Sequence, residues 1–127
     1  MSLPFECFDF RWGEEQRAKD PTIFCRLALE QKHEQCSTNS IWIVCDIRRY
    51  SDIEFFRRYF PECVVLVRVE ASIDTREKRG WIFTVNVDDA ESECQLDRNV
   101  SWSLIFSNNQ SDDFEKQINQ LIELIHS

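Results

Sequence analysis

Apolar positions recur with helical spacing in several stretches. Phe24, Leu27, Ala28 and Gln31 predict a helix running to about Glu34. Glu14–Lys19 reads as a short helix before it, and Asp20-Pro21 as the junction, with Asp as a cap and Pro at a first helical position. Cys36–Ser40 is a polar linker. Ile41-Trp42-Ile43-Val44-Cys45 is a continuous apolar run and predicts a strand buried on both faces. Ser51 is the expected cap of a helix over 52–60, ended by Pro61. Val64–Val69 and Ser103–Phe106 predict two further strands. Between them, Ser72–Arg79 is a charged helical stretch with few core anchors. Ser111 is the expected cap of a last helix, where Phe114, Ile118, Leu121, Ile122 and Ile125 form an apolar stripe expected to face a sheet.

Strands that alternate with helices predict an α/β fold: a parallel sheet with helices on both faces. In such sheets ligands sit beyond the carboxyl ends of the strands. The length, 127 residues, suits a single domain, 1–127, with a real core. No apolar run is long enough to cross a bilayer, and no basic-then-apolar leader pattern opens the chain. The six cysteines show no two-residue spacing, so neither a zinc knuckle nor a redox pair is indicated, and no metal ligands are assigned. The expectation is a cytoplasmic chain with reduced thiols and no membrane partner.

Glycine changes the picture more. There are two, Gly13 and Gly80. A phosphate-wrapping loop needs two glycines five positions apart, followed by Lys and Ser or Thr. The 127 residues contain no such loop. Two histidines, His33 and His126, give poor support to a Ser-His-Asp or His-rich metal site. The net charge of −8 argues against nonspecific nucleic-acid binding. That charge is uneven, with nine acidic and two basic groups in 88–127 but eight basic and seven acidic in 46–79. The middle of the chain is the natural place for an anionic ligand. Arginines outnumber lysines 11 to 4, and a guanidinium fork suits phosphate or carboxylate.

Arg48 and Arg49 follow the apolar run directly and read as an anion clamp; the structural alternative pairs one of them with Asp46 or Asp52. Arg76, Lys78 and Arg79 precede Gly80-Trp81. A cationic stretch hinged at glycine suits a lid over a transferring phosphoryl group, so 72–81 is the candidate lid. The alternative is a solvated helix balanced by Asp74 and Glu77. The acidic run 88–94 lacks the spacing of a calcium loop and reads as a helix N-terminus, with Glu91 and Glu93 available to arginines.

Several strings together resemble animal-type phosphomevalonate kinase: Arg11-Trp12-Gly13-Glu14-Glu15, Arg17, Asp20-Pro21, Phe24-Cys25-Arg26, Asp46 with Arg48-Arg49, Ser51-Asp52-Ile53, Arg79-Gly80-Trp81 and 87–94. The resemblance covers residues from Arg11 to about Ile125. It implies a nucleoside monophosphate kinase-like fold. It also implies transfer of the ATP γ-phosphoryl group, with Mg²⁺, to 5-phosphomevalonate, giving 5-diphosphomevalonate for isoprenoid and sterol synthesis.

By position, Arg17, Arg26, Arg48, Arg49, Arg68 and Asn108 are the implied substrate-binding residues. Arg76 and Arg79 are the implied catalytic lid residues. Arg79, Asn109 and Gln117 are the implied nucleotide contacts, although Asn109 stands where the family has His. The family's P-loop, first strand and first helix precede the RWGEE-type motif, and only ten residues precede Arg11 here. The resemblance therefore implies a P-loop kinase fold without that first strand and helix, and a chain that is by itself a poor catalyst or none. Two other readings stay open: a noncatalytic protein that binds phosphomevalonate or another anion, and an interaction module.

Overall fold

The computed structural model describes residues 5–32, 41–110 and 113–127. The chain divides into two units, Met1–Glu62 and Cys63–Ser127.

In the first unit every described element is a helix: α1 (Phe5–Lys19), α2 (Ile23–Lys32) and α3 (Tyr50–Tyr59). Helix α1 begins well before the expected Glu14, because the sequence ahead of it carries no apolar period to mark a start. It stops before Pro21, whose ring disfavours helical backbone at the residue ahead of it. Pro21 lies in the turn rather than at the first position of α2. Asp20 organises that turn by accepting bonds from the Thr22 amide (2.9 Å) and hydroxyl (2.8 Å). Those two bonds, the hydroxyl foremost, hold the Asp20 carboxyl below its ordinary value. The helices pack through Trp12 edge-on to Phe24, and through buried Ile53, Phe55 and Phe56 on α3.

Asp52 fixes where α3 begins. One oxygen accepts the backbone N–H groups of Arg49 (3.1 Å) and Arg48 (3.3 Å). The other lies 3.4 Å from the Cys25 thiol on α2. The helix therefore opens at Tyr50, with Arg49 and not Ser51 at the cap position. Cys25 is 7% exposed. Burial, and then the Asp52 charge, push its thiol up to about 12.

The apolar run 41–45 is not a strand. Ile43 is 86% exposed, and the other four residues are exposed too. The physical reason is the lack of a ladder, since the described elements of this unit are helices and offer no strand edge. Trp42 makes one edge contact with Phe60.

The second unit holds the parallel pairing that alternation predicts. β1 (Val67–Glu70) pairs with β2 (Leu104–Ser107) in the register Val67 to Leu104 through Glu70 to Ser107. Both strands fall within a few residues of their expected positions. The sheet among the described residues has two strands, and of the helices expected on its faces α6 meets β2. Between the strands run α4 (Ile73–Lys78), α5 (Glu91–Cys94) and a 3-10 turn, Gln95–Asp97; α6 (Phe114–His126) follows β2. Asp113 caps α6 by accepting from the Lys116 amide at 3.0 Å; the expected cap, Ser111, lies outside the described residues.

Phe114 stacks on Phe106 at 5.7 Å, so the α6 stripe does start against the sheet. Phe114, Ile118, Ile122 and Ile125 nonetheless stay exposed. A strand of four residues spans ~13 Å, whereas a helix of 13 residues spans ~20 Å, so two short strands cannot cover it.

Helix α4 is closed at both ends. Ser72 caps it by accepting from the Thr75 amide at 3.1 Å. At the other end, Gly80 donates to the Glu77 carbonyl (2.9 Å) and Trp81 to the Arg76 carbonyl (3.0 Å). That double bond pattern is a Schellman stop, and it puts Gly80 at φ +93°. Gly80, expected as a hinge, is thus a helix terminator.

A Cβ at Gly80 would meet nothing within 4 Å, so Gly80→Ala suffers from backbone strain alone. It should lower unfolding stability by about 1–2 kcal/mol in urea titration, and Gly80→Asn by less. At Cys25 the raised thiol value means that its contribution to stability is whole below the ordinary thiol range and is lost as pH rises towards about 12. The melting temperature should fall across that alkaline window, and Cys25→Ala should flatten the slope. Alkylation followed by mass spectrometry should label exposed Cys45, Cys63 and Cys94 before Cys25.

Candidate anion site and candidate lid

The arginines assigned to the acceptor sit on helices or at their starts. Arg17 lies one turn after Glu14 on α1, a spacing that puts both on one face. Its Nη1 donates to Glu14 Oε1 at 3.2 Å, and its guanidinium lies 4.7 Å from the Phe24 ring centroid. Arg49 is delivered by the start of α3. Its Nη2 donates to the same Glu14 oxygen at 2.8 Å. Among the described residues, Glu14 is the carboxylate that either guanidinium contacts. A cavity of about 220 Å³ opens here, lined by Glu14, Arg17, Ala18, Pro21, Arg49 and Ser51. Two cations against one anion leave the cavity with a net positive charge.

Arg26 and Arg48 do not line this cavity. Arg26 pairs with Asp20 at 2.6 Å. Arg48 pairs with Asp46 at 3.1 Å, the structural alternative its sequence neighbours offered. Asp46 itself sits at φ +68°, a backbone kink at the end of the apolar run. Arg48 and Arg49 are thus presented by a helix cap and not by the end of a strand.

Arg68 is held on all sides. Its Nε contacts Glu70 at 2.8 Å, Nη1 the Leu96 carbonyl at 2.8 Å, and Nη2 Asp97 at 2.6 Å. Its guanidinium also lies over Trp102. The bond to Asp97, above all, raises its proton affinity further. This arginine staples β1 to the 3-10 turn.

In the candidate lid, Arg76 stacks on Trp81 at 4.6 Å and Lys78 pairs with Asp74 at 2.8 Å. Arg79 is exposed, and its guanidinium makes no hydrogen bond or ion pair among the described residues. Asp88 accepts from the Trp81 indole (3.3 Å) and the Thr84 amide (2.6 Å), so it fastens a turn instead of favouring a helix end. Glu91 accepts from Gln95 at 3.1 Å.

Asn108, Asn109 and Gln117 gather at the carboxyl end of β2, where an α/β sheet is expected to meet its ligand. The Asn108 amide continues the ladder to the Glu70 carbonyl at 2.7 Å. Gln117 clasps the backbone of Ser107, accepting from its N–H (2.6 Å) and donating to its carbonyl (3.1 Å). Asn109 reaches across to the start of α4. Among the described residues, no three His, Cys, Asp or Glu side chains are placed to hold a metal ion. No described helix is long and apolar enough to cross a membrane.

Glu14 lies within the RWGEE string, and that string by itself assigns it no ligand. The signal was its spacing of three from Arg17, which puts the two side chains on one helix face. That Arg49, 35 positions on, joins the same carboxylate has no local signature.

Residues 9–62, which contain the whole cavity, match the family described as phosphomevalonate kinase. A phosphomevalonate kinase of Drosophila melanogaster is 45% identical over 87 residues, covering 68% of this chain and 46% of that protein. The chain thus spans about half the length of the curated relative it matches. The resemblance carried by the RWGEE string and its neighbours holds: this chain is a relative of the animal-type phosphomevalonate kinases.

Proposed function

We propose that this chain carries the acceptor-binding part of a phosphomevalonate kinase-like phosphotransferase, with 5-phosphomevalonate as the ligand. The observation that carries the reading is the cavity in which Arg17 and Arg49 share the one carboxylate of Glu14. A phosphate entering there gains two guanidinium donors, while Glu14 fixes how the two forks are held. Arg26 and Arg48, each held by its own carboxylate, contribute less. In the parent reaction the acceptor phosphate attacks the γ-phosphoryl group of ATP, and positive charge stabilises the transferring group. In the candidate lid, Arg79 makes no side-chain hydrogen bond or ion pair among the described residues, and Arg76, one turn before it, lies over the Trp81 ring. The reading places the protein in the cytoplasm.

ATP and Mg²⁺ come with the family. The residues present do not fit a nucleotide cradle. The 127 residues hold no Gly-x-x-x-x-Gly-Lys string, and the side chains of Asn109 and Gln117 are engaged with the backbone of their own unit. No step through the nucleotide is derived from them. This is the observation that favours the second reading, binding without turnover by this chain alone.

Calorimetric titration with 5-phosphomevalonate tests the first reading. Arg17→Met and Arg49→Met should each weaken binding about ten- to a hundredfold, as for one charge-assisted bond. Arg48→Ala should change it by less than about threefold. No heat from a wild type that circular dichroism shows to be folded would sink the assignment, as would equal affinities for all variants. With MgATP added, the chain by itself should form no diphosphomevalonate above background; formation that Arg79→Ala abolishes would sink the second reading.

A further inference from the structure

We propose that Asn109 is a positioning residue, which fastens the start of α4 to the end of β2 and so holds the helix that carries Arg76 and Arg79. Its amide oxygen accepts from the Ser72 backbone N–H at 2.9 Å and from the Thr75 hydroxyl at 3.0 Å. Its amide nitrogen donates to the Ser107 hydroxyl at 2.9 Å. A backbone N–H can only donate, so the atom facing Ser72 is the oxygen, and the amide orientation is fixed by chemistry.

The partners are not incidental. Ser72 is the cap of α4, with its own hydroxyl bonded to the Thr75 amide and to the Thr75 hydroxyl (2.9 Å). Thr75 is the buried residue of α4. Ile73 is exposed, so apolar contact does little to hold this short helix down. On the far side, Ser107 is clasped by Gln117 from α6. A continuous polar chain therefore runs from α6 through the end of β2 to the first turn of α4. Among the described residues, Asn109 links β2 to the helix cap. Arg76 and Arg79 stand one turn or less beyond Thr75, so what fixes Thr75 fixes where those guanidiniums start.

The sequence resemblance makes Asn109 a nucleotide contact. The geometry points to action through α4 instead. The consequence for phosphoryl transfer rests on the proposed role of Arg76 and Arg79; the latch itself does not.

Amide hydrogen exchange on the full chain tests the latch without a ligand. Asn109→Ala removes three bonds and should speed exchange across 73–80 about tenfold or more, with β1 and β2 amides unchanged. Asn109→Asp keeps acceptors for Ser72 and Thr75, the two bonds that reach α4, so exchange should stay within about threefold of wild type. If Asn109→Ala unfolds the unit, seen as equal acceleration in β1 and β2, Thr75→Val reads the same latch, with a several-fold gain confined to α4. An α4 that exchanges as in wild type in both variants overturns the proposal, as does Asp behaving like Ala.

A second readout uses inorganic tripolyphosphate, followed by Trp81 emission. Positioning predicts that Asp binds like wild type and that Ala binds more weakly. A direct contact to phosphate predicts that Asp, with its added negative charge, is the worst of the three, and that order also overturns the proposal. Failure of the wild type to bind tripolyphosphate speaks against the role of Arg76 and Arg79, while the exchange order still decides the latch.

Discussion

The Asp52 carboxylate is the constraint on which the first unit depends. It takes two backbone N–H groups at the start of α3, where a helix always leaves donors unsatisfied. It is also 3.4 Å from the buried Cys25 thiol on α2. One side chain thereby sets the first residue of a helix, its approach to a second helix, and the exit of Arg49 towards Glu14. Carboxylates near a helix start are favoured by the dipole as well as by the free amides. Replacing Asp52 would loosen the anion cavity through the Arg49 backbone, with every side chain that lines it unchanged.

The second unit answers the same need with a neutral group. Its helix α4 is too short to be stable by its own ladder, because the first turn costs more order than its one bond returns. Ser72 and the Schellman stop close the two ends, and Asn109 ties the closed helix to the sheet. The anchoring is polar because the apolar supply is thin: of the described residues beyond Glu62, Leu96 is the buried hydrophobic one. Where burial is scarce, directional bonds decide which conformation is held.

How much of this was legible depended on whether the signal was local. The β-branched run 64–69 and the short apolar run 103–106 lie within a few residues of the observed strands, and alternation with helices implies their parallel pairing. The run 41–45 failed because an apolar stretch reports a wish for burial, whereas a strand requires a neighbour with a free edge. Gly80 stands out in the sequence for its backbone freedom, but only the bonds to the Glu77 and Arg76 carbonyls show that this freedom serves a helix stop. The individual arginines of the site were legible from the RWGEE string and from Arg48-Arg49. Their grouping was not, since Arg17 and Arg49 meet through a carboxylate 35 positions from one of them.

The arginines sort themselves by how many acceptors each already has. Arg68 meets Glu70, Asp97 and a carbonyl, and lies over an indole; its charge is more firmly held than that of a free guanidinium. A phosphate competing for it must first break bonds to carboxylates, and the staple between β1 and the 3-10 turn breaks with them. Arg26 pairs with Asp20 and Arg48 with Asp46, on exposed surface, where such pairs are worth little. Arg17 and Arg49 divide a single carboxylate, at 35% and 21% side-chain exposure, so each keeps donors for a newcomer in a partly screened cavity. Arg79 has no acceptor among the described residues. Residue type and position therefore nominate all of these side chains equally, and what separates staple from ligand group is the acceptor count around each fork. A guanidinium binds a substrate phosphate only to the extent that the fold has left it unsatisfied.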